Sequence, residues 1–112
     1  MTINEYQKLA MRTARGMNHD HYGMLINGIL GLCGESGEVA DLVKKATFHG
    51  HELYFDHVAK ELGDVAWYLA VSATAIGYDL ETIMQMNIDK LRKRYPEGFD
   101  VERSLHREEG DI

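Results

Sequence analysis

The sequence predicts an all-α fold: a helical bundle of four main helices built around an antiparallel central hairpin. Three observations lead to this prediction. Apolar residues recur at helical spacing along most of the 112 residues, a single proline occurs, and two acidic pairs share the same spacing of three. A chain of this length forms one domain, residues 1–112, and a helical domain of this size often gains core by associating, so we expect an oligomer.

Local signals set the bounds of the first two helices. Thr2 and Glu5 match a capping box, which predicts a first helix that runs to about Arg15. The polar residues 16–22 that follow predict a loop. Apolar periodicity then predicts a second helix over about 24–48.

The second half of the chain divides in the same way. A third helix is predicted over about 55–76 and ends at Gly77, because glycine commonly follows the last turn of a helix. Asp79 is a suitable N-cap for a fourth helix, which ends near Tyr95, where the single proline follows. The remaining segment, 96–112, is rich in charge, and we expect an arm or a loose tail there, above all from about residue 100 onwards.

The amino-acid composition limits the classes of partner and the cellular location that we expect. The net charge of −6 argues against a nucleic acid partner. The single cysteine, Cys33, excludes an internal disulfide bond, and its apolar neighbours lead us to expect a buried thiol. The first residues lack a signal-peptide pattern, and no run approaches the roughly 18 apolar residues of a membrane span. We therefore expect a cytoplasmic protein with no membrane partner.

Two acidic pairs are the most informative feature of the chain. Glu35 and Glu38 stand three residues apart. Glu61 and Asp64 have the same spacing, which places both members of a pair on one helix face. The residue numbers of Glu35 and Asp64 add to 99, and so do those of Glu38 and Glu61. In an antiparallel hairpin that turns near His49, the four carboxylates would therefore converge.

The four carboxylates lie on or beside the apolar arcs of their helices, where unpaired negative charges repel one another and take up protons. A hard divalent cation removes this repulsion, and oxygen ligands favour magnesium, manganese or calcium over zinc. Magnesium keeps positions that substrate phosphates usually fill, which predicts a phosphate-bearing ligand. The sequence does not match the Glu-x-x-His motifs of di-iron bundles, because no histidine follows either leading glutamate at spacing three.

Residues 34–41 (GESGEVAD) and 60–65 (KELGDV) together resemble the MazG-type all-α nucleoside triphosphate pyrophosphohydrolases, whose signature is ExxE, a spacer and KExxD. The spacer between Glu38 and Lys60 is 21 residues. The resemblance covers about 27–99 and includes the closing segment NIDKLRKRYPEGF. It implies hydrolysis of nucleoside triphosphates, with deoxynucleotides favoured, to a nucleoside monophosphate and pyrophosphate, as a nucleotide-pool cleaning enzyme. It also implies a homodimer or a homotetramer, in a short stand-alone form.

The resemblance implies a role for each acidic residue. Glu35, Glu38, Glu61 and Asp64 match the metal ligands of the family, with Mg²⁺ as the usual cofactor and Mn²⁺ as an alternative. Glu38 is the residue we expect to position the attacking water as well. Lys60 matches the lysine of KExxD, which suggests a phosphate contact; local pairing with Asp64, four residues on, is the alternative.

Five further residues are candidates for substrate binding. Asn87, Lys90 and Arg94 share one face of the fourth helix, where cations would offset the charge of a polyphosphate. The helix dipole alone also favours basic residues in the last turn of a helix. The tryptophan could stack on a base, and packing is the commoner fate of such a ring. The candidates are Asn27, Trp67, Asn87, Lys90 and Arg94.

A row of glycines at 28, 31, 34 and 37 is unusual inside a helix, where each costs up to about 1 kcal/mol relative to alanine. We interpret it as a packing groove that permits close approach by another backbone. It is not a phosphate loop, because no strand precedes it and the Walker lysine is absent.

Two alternatives to this function stay open on the sequence. The same scaffold could hydrolyse phosphoribosyl-ATP, or the chain could be a helical interaction module that binds a metal or a nucleotide without turnover. Base preference and the number of ions per site are equally open. His19 and His21 precede the second helix, and whether either contacts substrate is also left open.

Overall fold

The computed structural model describes residues 1–17 and 20–112, and the regular elements in these ranges are helical. The all-α prediction is confirmed, with one short helix more than the four main ones. The elements are α1 (Ile3–Ala10), a 3-10 helix (Met11–Met17), α2 (His21–Phe48), α3 (Phe55–Ala75), α4 (Leu80–Arg94) and α5 (Val101–Leu105).

The capping box at the start of α1 is present in full. The Thr2 hydroxyl accepts from the Glu5 amide at 3.1 Å, and the Glu5 carboxylate accepts from the Thr2 amide at 3.0 Å. The prediction of one continuous α-helix is wrong in its second half, because the chain tightens into a 3-10 helix after Ala10. The Ala10 carbonyl there accepts from the Thr13 hydroxyl and from the Trp67 indole, each at 3.0 Å, instead of serving a regular α-helical turn.

Helix α2 begins one turn earlier than the sequence predicts. The Asp20 side chain accepts from the Gly23 amide at 2.7 Å and caps the helix, a signal that the apolar periodicity did not contain. At the other end, Gly50 has a φ of +73°, a conformation that glycine adopts without strain and that ends the helix. The bounds of α3 and α4 agree with the prediction to within a residue or two.

Glycines in α2 set its packing against α3. A side chain at Gly28 would lie 2.5 Å from the Ser72 hydroxyl and 3.3 Å from the Ser72 Cα, and one at Gly31 would overlap the Tyr68 ring. Residue numbers therefore rise along one helix as they fall along the other, so the hairpin is antiparallel, as predicted. The groove interpretation holds for these two glycines.

A buried glutamine ties α1 to the end of α3. Gln7 donates from its amide nitrogen to the Thr74 hydroxyl and to the Tyr78 carbonyl, both at 3.0 Å. Its amide oxygen accepts from the Leu80 amide at 2.7 Å. All its hydrogen-bonding groups face polar partners, as a buried amide requires. Most of the buried apolar residues in the described part of the chain are alanines, and the full set is Ala10, Ala14, Ala70, Val71, Ala73, Ala75 and Leu80.

The chain divides into two compact units, Met1–Leu80 and Glu81–Ile112. The second unit contains most of α4 and all of α5, and its last residues are not a loose tail. The Asp100 side chain caps α5 by accepting from the Arg103 amide at 3.2 Å, and Asp111 binds a side chain of α4. The prediction failed because a short helix of five residues carries little periodicity.

One face of α2 is uncovered in the single chain. Ile26 is 44% exposed and Leu30 is 66% exposed, and Cys33 lies on the same face. The expected burial of Cys33 is therefore wrong: its apolar neighbours along the sequence do not cover it, because α3 packs on the side marked by Gly28 and Gly31. Across the described ranges, no helix is both long enough and apolar enough to cross a membrane.

Candidate metal centre

Three carboxylates from the central hairpin meet at one point. Oxygen atoms of Glu35, on α2, and of Glu61 and Asp64, on α3, all lie within 4.8 Å of one another. The register follows from the glycine packing. Four residues beyond Gly31 stands Glu35, and four residues before its partner Tyr68 stands Asp64. The tight contact of the helices thus places these two acids opposite each other, as the sequence predicts.

The group carries unbalanced negative charge. Partial burial raises the pKa of Glu35 most, and a hydrogen bond with Glu61 and the charge of Asp64 raise it further. Glu35 and Glu61 are half-buried, whereas Asp64 is exposed. A carboxyl whose pKa is raised in this way is prepared to exchange a proton for a cation, because either one relieves the same repulsion.

Glu38 stands outside this group. It is exposed, one turn beyond Glu35 on α2, and its charge contributes to the raised pKa of Glu35. The structure brings Glu61 to Glu35 and to the His57 ring nitrogen Nε2, which lies 3.4 Å away, and the pairing of Glu38 with Glu61 stays a prediction. Three of the four predicted ligands therefore converge, and the fourth carboxylate faces solvent beside them.

The donor set fits a hard divalent cation. Three carboxylate groups offer oxygen ligands, which suit Mg²⁺ and Mn²⁺, and their proximity is unfavourable without a cation. His57 was not singled out from the sequence, although its position four residues before Glu61 on a helix was the available signal. Three of the four residues expected to be ligands therefore belong to the cluster.

Helix α1 contributes a residue that the sequence did not reveal. Burial raises the pKa of the Tyr6 phenol, and the nearby charge of Asp64 raises it further. The phenol is therefore close enough to the carboxylate group to respond to its charge. No local spacing connects these two residues, because their proximity depends on the packing of α1 against α3.

The other candidates of the first unit have varied environments. Asn27 is half-buried beside Gly28, and Lys60 is exposed on α3. Among the ion pairs of the described ranges none involves Lys60, so the alternative of pairing with Asp64 is not present. The Trp67 indole donates to the Ala10 carbonyl and to the Thr13 hydroxyl.

The tryptophan thus has a packing role between α1 and α3, and its ring also contacts the Tyr68 ring edge-on at 5.0 Å. His21 is the exposed first residue of α2. His19 lies outside the described residues.

Three candidates belong to the second unit. Asn87, Lys90 and Arg94 lie on α4, and the first two are exposed. Arg94 is not open to solvent: its guanidinium donates two hydrogen bonds to the Asp111 carboxylate, at 2.8 and 2.7 Å. The side chain of Arg94 is 9% exposed as a result.

Comparison with known proteins adds a relative and a family. The chain is 38% identical over 73 residues to the "Gene 37 protein" of Mycobacterium phage L5, a match that covers 62% of the chain and 64% of the phage protein. The chain thus spans slightly less than two thirds of that relative, whose name describes no activity. No solved structure matches the chain. The family model of the MazG nucleotide pyrophosphohydrolase domain matches residues 27–99, which include all three clustered carboxylates, and the chain belongs to this family.

Proposed function

We propose that the protein is a Mg²⁺-dependent nucleoside triphosphate pyrophosphohydrolase, with Mn²⁺ as an alternative ion. It releases a nucleoside monophosphate and pyrophosphate, favours deoxynucleotides and cleans the nucleotide pool of the cytoplasm. The observation that carries the proposal is the group of three carboxylates whose oxygens lie within 4.8 Å. Membership of a family of nucleotide pyrophosphohydrolases supports the same reaction class.

In this proposal Glu35, Glu61 and Asp64 hold the ion, which when bound offsets phosphate charge and lowers the pKa of a coordinated water. Glu38 positions the attacking water, because its exposed carboxylate is one helical turn from the ion site and is not one of the clustered groups. Lys60 contacts a phosphate of the substrate, and its exposure on α3, with no ion pair to another described residue, is consistent with that role.

The substrate-binding residues remain those that the sequence predicts. Asn27 is proposed to contact the base or the sugar, and Trp67 to present a ring surface to the base. Asn87, Lys90 and Arg94 are proposed to contact the polyphosphate, whose charge needs cations to offset it. The exposed state of Asn87 and Lys90 supports accessibility. Use of Arg94 requires that Asp111 leave it.

The working unit is proposed to be a homodimer or a homotetramer in which a second copy covers the exposed face of α2. Ile26, Leu30, Cys33 and Gly37 follow one another at spacings of four and three on that face. Sedimentation of the wild-type protein is expected to give a dimer or a tetramer, and Leu30→Glu is expected to shift it towards the monomer. Leu53→Glu, at a loop position outside this face, serves as the matched control.

A panel of nucleoside and deoxynucleoside triphosphates tests the reaction. With Mg²⁺ the protein is expected to release pyrophosphate, and Glu61→Gln is expected to lower the rate by about 100-fold or more. Asp56→Asn is the control, because it removes an exposed carboxylate of the same helix that is not clustered. Release of phosphate and a nucleoside diphosphate would contradict the mechanism. Stabilisation by Mg²⁺ without any turnover would show a binding module instead.

A further inference from the structure

Glu61 is the one member of the three clustered carboxylates that has an ion-pair partner among the described residues. The His57 ring nitrogen Nε2 lies 3.4 Å from Glu61 Oε1. The ion pairs of the described ranges include neither Glu35 nor Asp64. Glu35 instead shares a hydrogen bond with Glu61. Glu61 therefore contacts one acidic neighbour and one neighbour that can donate an N–H group.

The contact between His57 and Glu61 is fixed within a single helix. The two residues are four positions apart on α3, a spacing that brings side chains together on one face. The Tyr54 carbonyl accepts from the amides of His57 and Val58, each at 3.1 Å, and these bonds hold the first turn of α3 in place. The contact thus depends neither on the second unit nor on another copy of the chain.

His57 is placed as the partner of a ligand and not as a further ligand of the same ion. Oxygen ligands bind Mg²⁺ at about 2.1 Å, so atoms that share one ion are at most about 4.2 Å apart. In the described part of the chain, the ligand atoms within 4.8 Å of one another belong to Glu35, Glu61 and Asp64, and His57 is not in that group. The His57 side chain is also 53% exposed, whereas that of Glu61 is 20% exposed. The ring therefore lies at the outer edge of the group.

We propose that His57 is a positioning residue of the metal centre, which donates from Nε2 to one oxygen of Glu61 and holds this carboxylate for a divalent ion. A glutamate side chain has several rotatable bonds, and a partner that orders it beforehand removes part of the entropy cost of metal binding. A carboxylate has two oxygens, so one can accept from the ring while the other remains for the ion. Hydrogen-bonding partners of metal ligands raise metal affinity in this way.

The proposed role of His57 requires an N–H group and no change of charge. A neutral imidazole carries its proton on Nδ1 or on Nε2, and a carboxylate beside Nε2 favours the second form. The charged ring also donates from Nε2. A glutamine amide can supply an N–H group at a similar distance along its side chain, whereas a phenylalanine ring cannot.

The inference rests on the metal centre of the proposed function, and Mn²⁺ alone is the probe. Calorimetry of the full chain without nucleotide is expected to show about 10-fold weaker Mn²⁺ binding for His57→Phe, which keeps a ring and removes the donor. His57→Gln is expected to bind Mn²⁺ within about 3-fold of the wild type, because its amide can donate to Glu61. His51→Phe is the matched control, since it removes an exposed imidazole from the loop before α3, and it is expected to leave the affinity unchanged.

Equal Mn²⁺ affinity of His57→Phe and the wild type would overturn the inference and leave the metal centre in place. Equally weak binding by His57→Phe and His57→Gln would also overturn it, because the N–H donor would not be the property that matters. Pulsed EPR of bound Mn²⁺ is expected to show no directly coordinated ring nitrogen, and a signal from one would make His57 a ligand instead. Absence of Mn²⁺ binding by the wild type would overturn the inference and the proposed metal centre together. If the variants behave as expected but no triphosphate is hydrolysed, the positioning role stands and the proposed function fails.

Discussion

The two ends of the α2–α3 hairpin differ in how closely the helices approach and in what they hold. At Gly28 and Gly31 the helices leave no room for even a methyl group, whereas a Cβ atom at Gly34 or Gly37 would have no described atom from outside its own stretch of α2 within 4 Å. The closed end carries apolar and small side chains, and the open end carries the clustered carboxylates. The comparison shows that packing at one end fixes the register that holds like charges together at the other.

The closed end also contains an unfavourable polar group. The Ser72 hydroxyl is buried and has no hydrogen-bond partner within the described residues, an arrangement that costs about 1–3 kcal/mol. Its Cα lies 3.3 Å from the position that a side chain at Gly28 would take. Close approach of the backbones thus persists despite this cost, which supports a role for the contact in placing Glu35 opposite Asp64.

The largest expected effects distinguish the role of Glu35 in metal binding from the role of Glu38 in catalysis. Glu35→Gln is expected to weaken Mn²⁺ binding by about 100-fold. Mutation of residues that only hydrogen-bond to metal ligands already lowers metal affinity by about 10–100-fold, and Glu35 is proposed to be a ligand itself. Glu38→Gln is expected to change Mn²⁺ affinity by less than about 3-fold while lowering kcat by about 100-fold, since it stands outside the carboxylate group. Calorimetry with Mn²⁺ and a pyrophosphate-release assay measure the two. Equal losses of affinity in both variants would restore Glu38 as a ligand.

At the closed end, Gly31→Ala is expected to lower the free energy of unfolding by about 1–3 kcal/mol, because the added methyl overlaps the Tyr68 ring and the helices must shift. Chemical denaturation measures the change. The same shift displaces Glu35 from Asp64, so weaker Mn²⁺ binding is expected to accompany it. Loss of stability with unchanged Mn²⁺ affinity would separate the register from the metal centre.

Gly34→Ala is the matched substitution at the open end and is expected to raise the free energy of unfolding by up to about 1 kcal/mol, through helix propensity alone. In the described part of the chain, no atom beyond the neighbouring residues and backbone of α2 itself lies within 4 Å of the added methyl. The measurement is the same denaturation series as for Gly31→Ala. A decrease in stability would instead indicate that a second copy of the chain packs against Gly34.

The smallest expected effect concerns pH and the metal-free protein. The folded state raises the pKa of Glu35 above its usual 4.5, so the stability that its protonated form contributes is present below that value and is lost as the pH rises through the raised pKa. The melting temperature of the wild type minus that of Glu35→Gln should therefore fall as the pH rises above the usual pKa of 4.5. A difference independent of pH would mean that Glu35 is not perturbed. Added Mg²⁺ should reverse the trend, since it binds the ionised form.

Local spacing predicted much of the carboxylate cluster at the candidate metal centre. The residue numbers of Glu35 and Asp64 gave the correct register, because a helical hairpin relates the two positions by geometry alone. The same arithmetic predicts that Glu38 meets Glu61; in the structure Glu61 interacts with Glu35 and with His57, and Glu38 is not one of the grouped carboxylates. The position of a residue on a helix can be predicted from spacing, whereas its partner cannot.

The sequence by itself determined the helices, the capping box of Thr2 and the spacing of the acidic residues, because each depends on interactions within a few positions of the chain. Tertiary structure alone decided that the Trp67 indole donates a hydrogen bond to the Ala10 carbonyl, 57 residues away. It also decided that the Asp111 carboxylate accepts a hydrogen bond from Arg94, 17 residues away. It also decided that Cys33 is exposed in the single chain. The physical reason is that such contacts depend on how whole helices pack, and the same local pattern is compatible with several partners.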